Sequence, residues 1–409
     1  MLLPTTTYRT TAFVEAARRL QIDITVASEQ PSTFERARPD ALLTLDFKNL
    51  VHAVNQVREF AGRYALDAAV GVDDDTVVLA TAINAALGRP RNTIEAARAA
   101  RDKLIQRSLL GSAGLPVPQF GLQAIGKDLE SAARRAHYPC VVKPLRLSAS
   151  RGVIRADDPP GFVAAVERLG AILESTCDPE DHTATLEYLV EDFIPGYEVA
   201  LECLLIDGYL HVLALFDKPD PLDGPFFEET IYVMPSRHPA NEQAALIDCA
   251  ASAAAALGLR EGPIHAELRF NDKGPWLIEL AARPIGGRCS AVLRFGDGSV
   301  SLEEIVLRHA LGLPLPSLER EQRAAGVMMI PVPSAGVLEE VVGVEAARAV
   351  PGIEDVVITA HRGETLVAWP EGSRYPGFIF ARGDRPELVE KALREAHRRL
   401  RFKLRPASL

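Results

Sequence analysis

The chain has 409 residues, 47% hydrophobic and 24% charged, enough for roughly two or three domains around a substantial buried core. A formal net charge of −10 argues against a general nucleic-acid-binding surface. The N-terminus lacks the basic-then-apolar order of a signal peptide, and the most apolar stretch, Ala244 to Leu259, contains Asp248 and is too short to span a bilayer. Cys140, Cys177, Cys203, Cys249 and Cys289 have no metal-type spacing and suggest no disulfide framework, so a reducing cytoplasm is expected.

Residues 1 to about 90 alternate helix and strand signals: a helix over 11–20, apolar runs at 22–27, 41–47 and 67–72, and a helix over 76–87. Such βα alternation predicts a mostly parallel sheet. No G-x-G-x-x-G follows the first strand, so dinucleotide binding is not supported. The run Asp73-Asp74-Asp75 reads as a helix cap and solvent face. One long helix is expected over 93–113, carrying Lys103 and stopped by Gly114 and Pro116. A strand over 138–144 places Lys143 at its end, ahead of the small-residue loop Ser148-Ala149-Ser150-Arg151-Gly152. Backbone N–H groups in such a loop can approach phosphate oxygens closely.

A helix over 159–174 and an exposed loop over 177–183 follow, then a strand over 186–194. A hairpin turns at Asp207-Gly208, a favoured two-residue turn. Residues 218–235, rich in Pro, Gly, Phe and Glu, read as a substrate-side loop. An Ala-rich helix then leads into two alternating runs, 264–270 and 275–281, joined by Asn271-Asp272-Lys273-Gly274. Centred on Lys273, this hairpin sets Glu267 opposite Glu279, Arg269 opposite Leu277 and His265 opposite Ala281. Like charges directly opposed destabilise a ladder, so the carboxylate pair points to a hard divalent cation between them. Arg283 lies two pleats on, aimed at the same spot, with Gly286-Gly287 beyond. A helix over 301–311 precedes strands at 326–331, 356–359 and 378–382 and a last helix over 386–400.

Taken in series, Lys103, Lys143 with its Ser/Gly loop, Glu191-Asp192-Phe193-Ile194 with Gly196 and Glu198, and the Glu267/Glu279/Arg283 hairpin resemble the ATP-grasp superfamily of carboxylate–amine ligases. The Asp217 to Glu229 loop, the run Glu279-Leu280-Ala281-Ala282-Arg283-Pro284-Ile285-Gly286-Gly287 and the C-terminal portion look most like the L-amino acid (dipeptide-forming) ligases. The resemblance implies a mixed α/β and α+β ATP-grasp fold. A Rossmann-like βα domain (1–113) would precede a lid subdomain (114–195), a catalytic subdomain (196–325) and a small α+β portion (326–409).

It further implies ATP, and one or two Mg²⁺ (or Mn²⁺), as cofactors. Lys103 and Lys143 would contact the phosphates under a loop carrying Ser148, Ser150 and Gly152. Glu191, Phe193 and the backbone near Ile194 would hold the adenine, and Glu198 the ribose. Glu267 and Glu279 would bind the metal, and Arg283 would neutralise the transferring phosphoryl group. Gly286 and Gly287 would meet the substrate carboxylate, and Asp217, Glu228 or Glu229 would serve the incoming amine. The resemblance also implies small-molecule acid and amine substrates and a homodimer. One position departs from the family: Ala281 stands where most members place an Asn, and His265, opposite it, reads either as a substrate or second-layer contact filling that gap or as a hydrogen-bonded structural histidine. The alternatives are a carboxylase working through carboxyphosphate and an ATP-binding module without ligase activity.

Overall fold

The structure, a computed structural model, describes residues 1–126, 128–176 and 186–406; the loop expected at 177–183 falls outside them. Its backbone is an eight-stranded sheet in the order Gly274–Ala281, Gly262–Asn271, Tyr197–Ile206, Tyr209–Asp217, Ile231–Met234, Ala324–Met329, Gly377–Gly383 and Ile353–Ile358. Three of these strands come from the C-terminal α+β portion, so that portion is built onto the sheet that carries the carboxylate hairpin. Ile231–Met234 lies inside the stretch expected to be a loop throughout; its four residues are all buried and fit a central strand. A separate four-stranded sheet, Phe120–Ala124, Glu187–Asp192, Cys140–Pro144 and Ile154–Ala156, forms the other wall of the cleft.

In the hairpin Glu267 faces Glu279 and His265 faces Ala281, as the spacing predicts, but Arg269 faces Trp276 rather than Leu277. A bulge between Glu267 and Leu268 causes the shift, with Ile278 as the extra residue on the partner strand. Strict alternation would have turned Leu277 toward the cleft with Glu279. The bulge instead keeps Leu277 and Leu280 buried with Ala266 and Leu268. That inner face packs on the Ala240–Ala256 helix, where Ala250, Ala253 and Ala254 are buried in the same core.

The helix expected over 93–113 is two helices, Ile94–Arg101 and Lys103–Ser112. Asp102 between them is extended (φ −106°, ψ 114°), and its carboxylate accepts from the Leu104 and Ile105 N–H groups as the second helix's N-cap. Lys103 therefore begins a helix, where the dipole disfavours a cation; Asp102 and the approach of Glu279 offset that. In the N-terminal region Val26–Ser28 and Leu42–Thr44 pair in parallel, but 67–72 makes only a bridge from Gly71 to Leu2. The Asn84 side chain bonds both the N–H and the carbonyl of Ala69, taking the place of a neighbouring strand.

Gly196, between the Glu187–Asp192 and Tyr197–Ile206 strands, lies against the hairpin backbone. At φ +121° its missing Cβ would stand 2.2 Å from the Phe270 carbonyl oxygen. Gly196→Ala is expected to lower stability by about 2 kcal/mol or more, through strain at a left-handed φ and the backbone clash. Chemical denaturation of the metal-free protein measures this, and unchanged stability would refute the close approach.

Candidate active site

Two cavities lie between the sheets. The larger, ≈430 Å³, is walled by the N-terminal segment around Tyr8 and Arg9, the 148–151 loop, the hairpin face and the 373–375 segment. The smaller, ≈80 Å³, is lined by Lys103, Lys143, Phe193, Ile194, Glu198, Leu222, Phe227 and Arg269 among others. Leu147, Ser150, Glu267 and Glu279 belong to both walls, so the facing carboxylates stand at the junction.

Each of these carboxylates has a resident ammonium. Lys103 Nζ lies 3.0 Å from Glu279 Oε1 and donates to the Leu147 carbonyl at 2.9 Å. Lys218 Nζ lies 3.1 Å from Glu267 Oε1 and also bonds Glu198 and Glu229. Among the described residues, Glu198, Glu229 and Glu267 form the acidic cluster tight enough for an ion, but the Lys218 ammonium bonds all three. That cluster already holds its cation. Glu267 and Glu279 remain partly open toward the cavities (side chains 19% and 28% exposed), with Oε2 of each outside these lysine contacts. Two such hard oxygen donors in register fit a divalent cation shared with phosphates.

Lys143, buried at the end of its strand, is 2.6 Å from Glu191. Burial pushes its ammonium down to about 8, against the pull of Glu191. Glu191 is also held by Arg107, at 2.8 Å through Nε and 3.3 Å through Nη2. Burial raises the Glu191 carboxyl, yet Arg107 and Lys143 together keep it below the ordinary range. Glu191, expected at the adenine, lines the smaller cavity with its two oxygens bonded to Arg107 and Lys143. Glu198 is committed too, to Lys218 and to Arg269 Nε, each at 2.8 Å. The Ile194 carbonyl accepts from Arg269 Nη1 at 2.6 Å. Phe193 faces Phe227, with ring centroids 6.4 Å apart, beside this slot.

Arg283 reaches the larger cavity and is gripped by Asp74, with Nε and Nη2 each 2.9 Å from its carboxylate. Although burial raises the Asp74 carboxyl, Arg283 holds it below the usual range. Asp73 stands 3.7 Å from the buried Arg9, which donates to the carbonyls of Pro284 and Ile285. The acidic run is thus a cap, as expected, but Asp73 and Asp74 face the cleft as arginine holders rather than solvent. Asp75 alone is exposed.

Ser148, Ser150, Gly286 and Gly287 line the larger cavity; Gly152 lies behind the loop, where an added Cβ would meet Leu169 at 2.9 Å. Of the three carboxylates expected near the amine, Glu229 lines the cavity. Asp217 does not: it is buried and bonded to Arg237 Nε and N–H at 2.9 and 3.0 Å. Glu228 accepts from the Val332 N–H at 3.1 Å and lies off the cavity wall. Burial pushes the Glu229 carboxyl up to about 7, with Lys218 pulling it the other way. His265 stands beside Ala281, its Nδ1 3.1 Å from the fully buried Glu202 and its Nε2 3.8 Å from Glu267.

Lys218, Arg107, Arg269, Asp74, Arg9 and Glu202 went unassigned in the sequence. Only Lys218 carried a usable signal, as the lone cation of the Asp217 to Glu229 loop.

An ATP-grasp domain model matches residues 136–292 and an L-amino acid ligase C-terminal domain model matches 328–405. The L-amino acid ligase structure from Bacillus licheniformis superposes with a TM-score of 0.81 at 28% identity, over 96% of each chain. Dapdiamide A synthase of Enterobacter agglomerans is 26% identical, over 81% of this chain and 78% of its own. Alanine–anticapsin ligase of Bacillus subtilis is 25% identical, over 57% of this chain and 52% of its own. No described helix is long and apolar enough to cross a membrane.

The buried lysine yields a pH prediction. Above about pH 8 Lys143 loses its proton in the free protein, and a phosphate bound beside it would restore that proton. ATP binding at pH 9 should therefore take up close to one proton, and at pH 6.5 none at this residue. Calorimetry in buffers of different ionisation enthalpy measures the uptake, and Lys143→Arg should abolish it. Equal uptake in that variant would refute the assignment.

Proposed function

Because the chain is an ATP-grasp protein with an L-amino acid ligase C-terminal domain, we propose that its cleft joins the carboxylate of one amino acid to the amine of another. It is an ADP-forming, ATP-dependent carboxylate–amine ligase. The observation that carries the amino-acid reading is the shared wall. A narrow slot suited to a nucleotide base and a larger polar cavity meet at Glu267 and Glu279, where a γ-phosphate and a substrate carboxylate would come together.

In this reading ATP lies with its base near Phe193 and Phe227 and its phosphates over Lys103 and Lys143. Glu267 and Glu279 would hold Mg²⁺, which neutralises phosphate charge when bound. The substrate carboxylate attacks the γ-phosphorus, the bond to the β-phosphate oxygen breaks, and ADP and an acyl phosphate result. This transfer calls for positioning and charge stabilisation rather than covalent catalysis. Arg283, fixed by the Asp74 fork, presents a constant cation to the acyl phosphate. The amine then attacks the acyl carbon, phosphate departs, and the amine's proton passes to a base, which we assign to Glu229 on its place in the cavity wall. His265, oriented by Glu202, supports Glu267 from the position opposite Ala281. We further propose a cytoplasmic homodimer; Cys140, Cys203, Cys249 and Cys289, all free and buried, suit a reducing compartment.

The direct test is phosphate release with ATP and Mg²⁺ against pairs of amino acids. Release requiring two amino acids, with a new dipeptide by mass spectrometry, is expected. Bicarbonate-dependent release would instead indicate carboxylation, and the absence of release with every pair would leave only nucleotide binding. Glu279→Ala should cut turnover by roughly 10²-fold or more and weaken Mn²⁺ binding in the absence of ATP, with the melting temperature little changed. Near-normal turnover in that variant would sink the metal assignment. Arg283→Lys should lose about 10- to 100-fold in kcat, because an ammonium cannot reproduce the two-point contact with Asp74.

A further inference from the structure

The loop that would cover the phosphates is fastened from outside the cleft. Ala149 and Ser150 have φ of 56° and 52°, a region that non-glycine residues keep only where their surroundings over-determine it. Those surroundings are residues 369–371. Trp369 Nε1 donates to the Ala149 carbonyl at 2.8 Å. The Gly152 N–H donates to the Pro370 carbonyl at 2.9 Å, and Arg151 Nε to the Glu371 carbonyl at 3.0 Å. The Glu371 carboxylate accepts from Arg168 through Nε and Nη2, tying in the Pro159–Glu174 helix behind the loop.

The other end of this segment reaches the large cavity. Trp369 is buried and stacks on Tyr375, with centroids 4.8 Å apart, and Ser373, Arg374 and Tyr375 line the cavity together with Ser148 to Arg151. One short stretch thus touches the phosphate loop at one end and the substrate space at the other.

We propose that residues 369–375 form a clasp in which Trp369 and Glu371 are positioning residues for the phosphate loop. Through the Trp369–Tyr375 stack, the clasp couples closure of that loop to the side chain that fills the large cavity. The inference rests on the ligase reading for what the loop covers, but not for the fastening itself. A substrate packed against Tyr375 steadies Trp369, the indole N–H keeps the Ala149 carbonyl down, and water is excluded from the acyl phosphate while an acid is in place. An unclasped loop lets water take the amine's role, so phosphate is released without an amide.

The test uses Trp369→Phe, which keeps a stacked ring but deletes the N–H, and Glu371→Arg, alone and with Arg168→Glu. Trypsin cleavage after Arg151 reads loop opening. Phosphate released per amide formed reads coupling. With one hydrogen bond lost, Trp369→Phe should be cut about fivefold faster and release phosphate in excess of amide. Glu371→Arg should behave likewise, and the Arg168→Glu/Glu371→Arg pair should regain resistance. Wild-type cleavage rates and one phosphate per amide in Trp369→Phe would overturn the proposal, even if Glu371→Arg does not fold. If the wild type forms no amide from any pair, the ligase reading fails, while the cleavage rates still decide the clasp.

Discussion

Two carboxylates face each other across an antiparallel ladder, and most of the cleft's charge arrangement follows from that opposition. Glu267 and Glu279 would repel at this spacing if nothing stood between or beside them. The protein answers with one lysine for each: Lys218 approaches Glu267 from just past the Tyr209–Asp217 strand, and Lys103 approaches Glu279 from a helix start. The resting protein is thereby neutralised locally, and neither carboxylate is sealed from the cavities. In the proposed reading, a metal arriving with phosphates would enter a site whose charges are already balanced.

The same economy repeats outward. Glu191 joins Arg107 and Lys143, and Glu198 joins Lys218 and Arg269, along the smaller cavity, while Asp74 joins Arg283 on the larger one. Buried ions arranged in this way add little net stability, because desolvation offsets much of their attraction, but they fix geometry. Their partners come from far apart in the chain: Arg107 lies on a helix and Glu191 on a strand, and Asp74 begins the Asp74–Ala86 helix while Arg283 follows the hairpin. Removing either member leaves an uncompensated charge in a dry cleft. Positioning and electrostatics are what phosphoryl transfer asks of a protein.

The sequence made the hairpin register legible, because turn chemistry and two-residue alternation set it locally, and Glu267 opposite Glu279 needs no knowledge of the rest of the chain. It made Lys103 and Lys143 legible as members of a series. It could not show the bulge at Ile278, which arises because Leu277 and Leu280 both seek the same core against the Ala-rich helix. Nor could it show that Asp102 would stop a helix whose flanks are both strong formers; its capping bonds decide that. Asp217 and Glu228 looked like Glu229 in the same acidic loop, and only the folded wall separates the one facing the cavity. Long-range partners such as Asp74 for Arg283 leave no trace in spacing, so the acidic run looked like a solvent face.

The continuous sheet has a consequence for the molecule's integrity. Ile231–Met234 is covered on one side by Ala324–Met329, with registered pairing from Ala325↔Met234 to Met328↔Ile231. On its other side only Asp217↔Val233 pairs it to the neighbouring strand. A chain shortened before residue 324 would bare this apolar strand as an open edge, a template for intermolecular pairing. The C-terminal portion therefore covers an apolar strand edge against intermolecular strand pairing as well as walling the cleft.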